Sequence, residues 1–281
     1  MTPKATVGLV QLRSGRDVTQ NVVAIDKLVR AAARAGATYV QTPENSTVMD
    51  DDKARLKASA TTEEASPALA AFCGLARELS LWLHIGSMAV AHPSGKLANR
   101  SLLIAPDGRI AARYDKIHMF DVDLAGGESY RESQTFKPGA LAVTADMPWG
   151  RIGLTICYDL RFPALFRALA QAGAGVLAVP SAFTRQTGEA HWHTLLRARA
   201  IETGSYVLAA AQGGRHENGR ETYGHSLIVA PNGEILAEAG IEPCVVTAHI
   251  DVTIVEDFRR RIPSLQADRT FNWPTANGRQ T

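Results

Sequence analysis

Three residues stand where a chain of this pattern would place chemistry. Cys157 lies in Gly153-Leu154-Thr155-Ile156-Cys157-Tyr158-Asp159-Leu160-Arg161-Phe162-Pro163, where an apolar strand runs into the cysteine and a helix begins at Pro163. A strand-to-helix turn presents a side chain at a sheet edge and leaves backbone N–H groups free, and such groups can stabilise a developing oxyanion. Lys116 sits in Arg113-Tyr114-Asp115-Lys116-Ile117-His118-Met119-Phe120-Asp121, after a hairpin, and Glu44 in Gln41-Thr42-Pro43-Glu44-Asn45-Ser46, after a strand. Strand ends and the loops behind them are where α/β proteins build sites. Taken singly, each residue also has a plain explanation: an inert buried cysteine, a surface ammonium, an exposed cap. Cys73, on an apolar helix face, and Cys244, at the start of a strand, have only that plain explanation.

The elements that must carry these residues alternate between strand and helix. Ala5–Leu12 reads as a buried strand, and residues 18–35 repeat Val22, Ile25, Leu28, Val29 and Ala32 at helical spacing. Strands at Tyr39–Thr42 and Leu81–Ser87 bracket a helix over 66–79. Ser101–Ala105 and Arg109–Arg113 flank the turn Pro106-Asp107-Gly108. The order then recurs: strand Arg151–Ile156, helix Pro163–Ala172, strand Gly175–Val179, helix Glu189–Glu202, strand Tyr206–Ala211. Leu227–Ala230 and Glu234–Ala237 flank Pro231-Asn232-Gly233, and Cys244–Ile250 adds a strand.

Local strings match across the halves: Val7-Gly8-Leu9 with Ile152-Gly153-Leu154, and Leu103-Ile104-Ala105-Pro106 with Ile228-Val229-Ala230-Pro231. Two similar α-β units would each leave one sheet face bare. Packing sheet on sheet covers both, so the expected fold is α/β, a four-layer α-β-β-α sandwich. The expected organisation is one domain over 1–262 with a polar tail over 263–281, in which Phe271 and Trp273 are exceptions; that tail is expected to cross to a neighbour or to be disordered.

Composition sets limits on function. The chain has 281 residues, 46% hydrophobic and 21% charged, with a formal charge of +2, too near neutral for an electrostatic nucleic-acid binder. Arg197, Arg199 and Arg259 to Arg261 read as solvated faces or local ion pairs. Three cysteines without a C-x-x-C pair fit a reducing, cytoplasmic compartment. No apolar run approaches the ~20 residues that span a bilayer.

Taken together, P-E-N-S at 43–46, D-K-I-H-M-F-D at 115–121 and the stretch around Cys157 resemble the carbon–nitrogen hydrolase family, the nitrilase superfamily, from the first strand to about Ile262. The family's α-β-β-α sandwich agrees with the fold read above. The resemblance implies that Cys157 is the nucleophile, Glu44 the general base, Lys116 the oxyanion partner, and Glu132 a second glutamate, with Glu128 as the nearby competitor. An amide is a poor electrophile, so a sulfur nucleophile and a charged oxyanion partner both help. A neighbouring ammonium is expected to favour the thiolate, and a partly dry pocket to raise the glutamate pKa. The implied course is attack on the carboxamide, loss of ammonia, a thioester, then hydrolysis.

Within the family, C-Y-D-[ML]-R-F is the pattern of the Nit-type amidases, in which Arg161 matches the position that binds a substrate carboxylate. Tyr158, Phe183 and Thr187 match the pocket. A structural role for Arg161, fixing a loop with Asp159, is equally open. Arg197 to Thr203, Ala209 to Gln212, Gly214 to His216 and Tyr223 to Ser226 are more similar to the deaminated glutathione amidase branch than to the ω-amidases acting on α-ketoglutaramate; Gly213 stands where that branch usually has cysteine. N-carbamoyl and nitrile hydrolases share the triad. A metal-dependent hydrolase would have to use His118, His191 and His193, yet there is no H-E-x-x-H, and residues two apart on a helix face apart. A non-catalytic binding protein leaves the filled triad unexplained. No cofactor or metal is implied; the expected partners are a small amide substrate and a second copy of the chain in a homodimer, with neither membrane nor nucleic acid.

Overall fold

In the computed structural model, residues 4–124 and 127–271 are described; residues 272–281 of the tail, Trp273 among them, lie outside the described residues. The first unit runs β1 (Lys4–Gln11), α1 (Val18–Arg34), β2 (Tyr39–Gln41), α2 (Lys53–Ser59), α3 (Pro67–Leu79), β3 (Trp82–Ala91), β4 (Leu97–Ile104) and β5 (Ile110–Asp115). A small hairpin of β6 (Asp121–Asp123) and β7 (Ser129–Arg131) follows. The second unit holds β8 (Val143–Met147), β9 (Gly150–Leu154), a 3-10 turn (Cys157–Arg161), α4 (Pro163–Gln171), β10 (Val176–Ala178), α5 (Arg185–Thr203) and β11 (Tyr206–Ala209). Its remainder is a hairpin of β12 (Gly213–Arg215) and β13 (Glu221–Tyr223), then β14 (Leu227–Val229), β15 (Ile235–Glu238), β16 (Cys244–Asp251) and α6 (Thr253–Arg261).

Two six-stranded sheets result, ordered β16-β1-β2-β3-β4-β5 and β15-β14-β11-β10-β9-β8. The expected duplication is visible in them: β1-β2-β3 and β9-β10-β11 are the parallel centres, and hairpins continue each sheet on one side. The units interlock through one strand. β16 leaves the second unit and pairs antiparallel along all of β1, from Lys4 opposite Asp251 to Gln11 opposite Cys244.

Alternation along β1 explains the layers. Ala5, Val7 and Leu9 belong to a buried cluster with Leu154, Leu177 and Leu208 of the other sheet. Val10 belongs to a second cluster with Ile25 and Val29 of α1 and Phe72 of α3. Sheet therefore packs on sheet with a helical layer outside each, the expected α-β-β-α sandwich. The repeated glycines have a packing reason. A Cβ on Gly8 would stand 3.1 Å from the Cβ of Ala32 in α1, and one on Gly153 would stand 3.0 Å from the Cβ of Leu169 in α4. Each glycine lets a helix close onto the first of the parallel strands in its sheet.

Several boundaries differ from the sequence reading. Helix α5 starts at Arg185 rather than Glu189, because Thr184 accepts a bond from the Thr187 N–H as N-cap. Strands β6, β7, β8, β12 and β13 and helices α2 and α6 carry too little apolar periodicity to register. Arg199 and Arg259 are not solvated faces, although Arg199 does form a local ion pair with Glu202 at 2.9 Å. Arg199 is buried and gives Nε and Nη2 to the Leu160 carbonyl at 2.9 and 2.7 Å, while Arg259 reaches the carbonyls of Thr203 and Ala174. Arg260 and Arg261 do form local ion pairs, both with Asp257. Beyond α6 the chain returns to its own α4: Arg167 bonds the Ser264 carbonyl and pairs with Asp268, and Gln171 bonds the Leu265 carbonyl.

Candidate active site

The parallel strands of both sheets deliver their ends to one place. Glu44 follows β2 and Pro43, Lys116 follows β5, and Cys157 follows β9. The strand ends can meet because Gly86 of β3 has no side chain; a Cβ there would lie 2.0 Å from the Thr42 carbonyl oxygen and 2.4 Å from the Cβ of Pro180. Cys157 adopts a left-handed backbone, φ 50°, a sharp turn that costs energy in a residue other than glycine and pushes the side chain out at the sheet end. The Cys157 N–H donates to the Pro180 carbonyl at 2.9 Å, so it is not free for an oxyanion.

Glu44, Lys116 and Cys157 are 3%, 2% and 7% exposed, so their polar atoms must satisfy each other. Lys116 Nζ donates to Glu44 Oε1 at 2.8 Å and to Glu132 Oε2 at 2.8 Å and Oε1 at 3.1 Å. Asn99 Nδ2 bridges the two carboxylates, 3.0 Å from Glu44 Oε1 and 3.1 Å from Glu132 Oε1. Glu44 Oε2 accepts the Ala182 N–H at 3.0 Å, and the Cys157 thiol shares the cavity with the Glu44 carboxylate, near enough for each to shift the other's pKa. Glu132 Oε2 also accepts the Phe120 N–H at 2.7 Å. Glu128 is not part of this network; it accepts from the Tyr130 hydroxyl at the cavity's rim.

The electrostatics differ from the sequence expectation. Burial pushes the Glu44 pKa upward, but the Lys116 ammonium in contact outweighs it and holds the carboxyl below its ordinary value. Burial and the adjacent Glu44 charge push the Cys157 thiol well above its ordinary value, and Lys116 only partly offsets them. Burial works against the Lys116 charge, yet Glu132 and Glu44 keep its pKa raised. Two carboxylates stand against one ammonium, so the resting state is a thiol beside a carboxylate rather than a thiolate beside a carboxylic acid.

Behind the cluster, buried Asp159 locks the turn. Its Oδ2 accepts the Ile156 N–H at 2.9 Å and the Tyr114 hydroxyl at 2.6 Å; its Oδ1 accepts the His118 N–H at 3.0 Å and faces His118 Nδ1 at 2.7 Å. One carboxylate thus ties the Cys157 turn to the strand carrying Lys116. Among the described residues no hydrogen bond or ion pair joins Arg161 to Asp159. Arg161 Nη2 lies 3.2 Å from His191 Nδ1, and its guanidinium lies over the Phe183 ring, 5.6 Å from the centroid.

All eight residues singled out in the sequence line one cavity of about 530 Å³: Glu44, Lys116, Glu132, Cys157, Tyr158, Arg161, Phe183 and Thr187. Phe183 rests on Trp192, ring centroids 4.9 Å apart, and Thr187 Oγ1 is 2.8 Å from Thr184 Oγ1. Sequence reasoning missed Asn99, which carries no motif, and Arg220, whose guanidinium lies over Tyr130 and donates to the Ala182 carbonyl at 2.6 Å. It also missed the basic and acidic rim of Lys53, Asp50, Asp51 and Arg131. The three histidines weighed as metal ligands go to three places: His118 to Asp159, His191 to Arg161, His193 to Glu238. Among the described residues no helix is long and apolar enough to cross a membrane.

A family model described as carbon-nitrogen hydrolase matches residues 6–260. The deaminated glutathione amidase of Yersinia enterocolitica is 40% identical over 268 residues, covering 94% of this chain and 93% of that protein. The omega-amidase NIT2 of Homo sapiens is 36% identical over 269 residues, covering 94% of this chain and 95% of that protein. The crystal structure of the C. elegans NitFhit protein superposes with a TM-score of 0.88 at 35% identity over 95% of this chain, which spans only 65% of the NitFhit chain.

Proposed function

This chain belongs to the carbon–nitrogen hydrolase family and is a hydrolase acting on amides, and on that premise we propose that it cleaves the γ-amide of deaminated glutathione through a thioester on Cys157. The observation that carries the reading is the convergence in one cavity of a buried thiol with two carboxylates that both contact one ammonium.

The proposed course moves one proton and one charge at a time. The Cys157 proton passes to Glu44 as sulfur attacks the amide carbon. The negative charge moves from Glu44 to the substrate oxygen, and both sites contact Lys116, so the ammonium stabilises the charge before and after the move. The Tyr158 N–H, the next backbone amide in the turn, is the second donor to that oxygen. Glu44 then gives its proton to the leaving nitrogen, and the C–N bond breaks to leave the thioester. Water enters, Glu44 removes its proton, and the second tetrahedral species expels sulfur, which is reprotonated from Glu44. Glu132 and Asn99 hold Lys116 and Glu44 in place.

The substrate follows from the rest of the cavity. Arg161 orients the keto-acid carboxylate, and Tyr158, Phe183 and Thr187 line the acyl chain. A cavity of about 530 Å³ has room beyond that acyl group. For deaminated glutathione the leaving group is the amine of a dipeptide, not ammonia, and the basic residues Lys53 and Arg131 at the rim suit its terminal carboxylate. The 36% identity to an omega-amidase favours α-ketoglutaramate as the second reading. A homodimer and a cytoplasmic location complete the proposal. Ile201 on α5 and Ile262 after α6 are exposed apolar residues suited to a second copy, and the three free cysteines suit a reducing compartment; light scattering in solution tests the dimer.

The deciding assay compares kcat/KM for deaminated glutathione, α-ketoglutaramate and an ω-amide lacking the far carboxylate. Release of cysteinylglycine at the highest kcat/KM supports the proposal. A preference for α-ketoglutaramate selects the second reading, and a preference for the amide without a carboxylate removes both.

A further inference from the structure

Outside the reaction cavity, one group of side chains has the arrangement of a metal site and no part in the chemistry above. His193 on α5, His225 in the turn between β13 and β14, and Glu238 at the end of β15 place their donor atoms within 4.8 Å of one another. We propose that these three side chains form a binding site for a divalent transition-metal ion of the zinc type.

The donor atoms already converge. His193 Nε2 is 2.9 Å and His225 Nδ1 2.8 Å from the same oxygen, Glu238 Oε1. In a tetrahedron around an ion with bonds of about 2.0–2.1 Å, ligand atoms stand about 3.3 Å apart. The two His–Glu distances therefore need to open by a few tenths of an ångström, and the two imidazole nitrogens, which lie within 4.8 Å of each other, to settle at a similar spacing, with each neutral imidazole carrying its proton on the far nitrogen. The two rings are inclined at 67° with centroids 5.7 Å apart, so they do not stack, and one nitrogen of each faces Glu238 Oε1.

The scaffold holds this geometry independently of the ligand atoms. His225 has a left-handed backbone, φ 55°, an unfavourable state for a residue with a Cβ unless its surroundings impose it. Here they do: its N–H donates to the Gly240 carbonyl at 2.8 Å, its carbonyl accepts Trp192 Nε1 at 2.8 Å, and Ala239 N–H donates to the Ser226 carbonyl at 2.9 Å. The segments carrying His225 and Glu238 are thus bonded to each other, and the residue before His193 is bonded to His225. Tyr223 stacks on the His225 ring at 4.4 Å and fixes its plane.

The donor set selects the ion. Two imidazoles and one carboxylate with an open fourth position suit zinc and its neighbours, whereas calcium and magnesium require oxygen donors. The side chains of His193, His225 and Glu238 are 32%, 25% and 35% exposed, so an ion can enter from solvent and water can complete its shell. None of the three lines the cavity that holds Cys157. The bound ion would clamp α5 to the β14–β15 hairpin and stabilise the folded chain by mass action.

The test uses tag-free, full-length, chelator-treated protein carrying Cys157→Ser, so that the active-site sulfur cannot compete, titrated with zinc chloride alone by calorimetry and followed by thermal melts. The expected result is one ion per chain and a Tm that rises with zinc. His193→Ala, on a helix that tolerates alanine, and Glu238→Gln should each weaken binding by more than the roughly 100-fold that loss of an outer hydrogen-bond partner costs, and should abolish the Tm rise. His191→Ala, on the same helix but facing Arg161, should leave both unchanged. No binding at one equivalent, or binding that survives His193→Ala and so belongs to Cys73, Cys244 or another site, would overturn the proposal and leave the three residues as a hydrogen-bonded cluster.

Discussion

Replacing Glu44 with glutamine should stop turnover and, at the same time, make the Cys157 thiol more acidic. The reason is the local charge count. Glu44 and Glu132 oppose Lys116 around the sulfur, and the Glu44 charge already pushes the thiol pKa up, so ionisation places a third anion near two others. Glutamine at 44 removes one of these charges and leaves Glu132 balanced by Lys116. A unit charge about 4 Å away is worth about 4 kcal/mol at an effective dielectric near 20, or about 3 pH units at roughly 1.36 kcal/mol each. Water entry and a shift of Lys116 toward Glu132 reduce this, leaving a drop of at least about one unit. The assay is the pH dependence of thiolate absorbance and of alkylation at Cys157, with Cys157→Ser protein subtracting the signal of Cys73 and Cys244. A thiol midpoint unchanged or raised in Glu44→Gln would refute the charge reasoning, because Lys116 would then already dominate and the resting enzyme would hold a thiolate.

Asn99→Ala should lower kcat by up to about 100-fold with little change in KM, since it frees both carboxylates from their shared donor without touching the substrate-binding wall; steady-state kinetics with a melting curve as the folding control checks this. His216 should make stability fall in mild acid. Burial holds its pKa at about 4 against an ordinary 6.5, while it bonds the Ser14 carbonyl and Thr222. The unfolded chain therefore takes the proton first as pH falls, and stability fully present above pH 6.5 is lost toward pH 4. The loss between pH 7 and pH 5 is about 2 kcal/mol, read from urea unfolding, and His216→Gln should flatten that slope. Gly153→Ala should destabilise by about 1–3 kcal/mol, because the added Cβ would sit 3.0 Å from Leu169 and 3.1 Å from Leu177; Gly74→Ala, with nothing nearby, is the control in the same chemical melt.

Much of the fold was legible because its determinants are local. The Pro-Asp-Gly and Pro-Asn-Gly turns announce two hairpins, and Gly108 and Gly233 take the positive φ such turns need, 81° and 83°. The long helices carry regular apolar stripes. What was illegible depends on contacts far apart in the chain. β16 joins the first sheet through pairing with β1 at the other end of the sequence, and no periodicity encodes that. At the site, Glu44, Lys116 and Cys157 each sit in a recognisable string, whereas Asn99 is an ordinary strand residue whose importance arises only when two distant carboxylates close on it. Asp159 was visible in the C-Y-D string, but its partners, Tyr114 and His118, are not sequence neighbours. The direction of the Glu44 and Cys157 shifts could not be read from residue types, because it depends on the balance between burial and the charges in contact.

The most direct test is the mass of the protein quenched during turnover of deaminated glutathione. A covalent adduct equal to the keto-acyl half of the substrate should appear on the peptide containing Cys157, disappear on treatment with hydroxylamine, and be absent from Cys157→Ser. Full turnover by Cys157→Ser, or an adduct that maps to Cys73 or Cys244, would contradict a thioester route through the buried cluster.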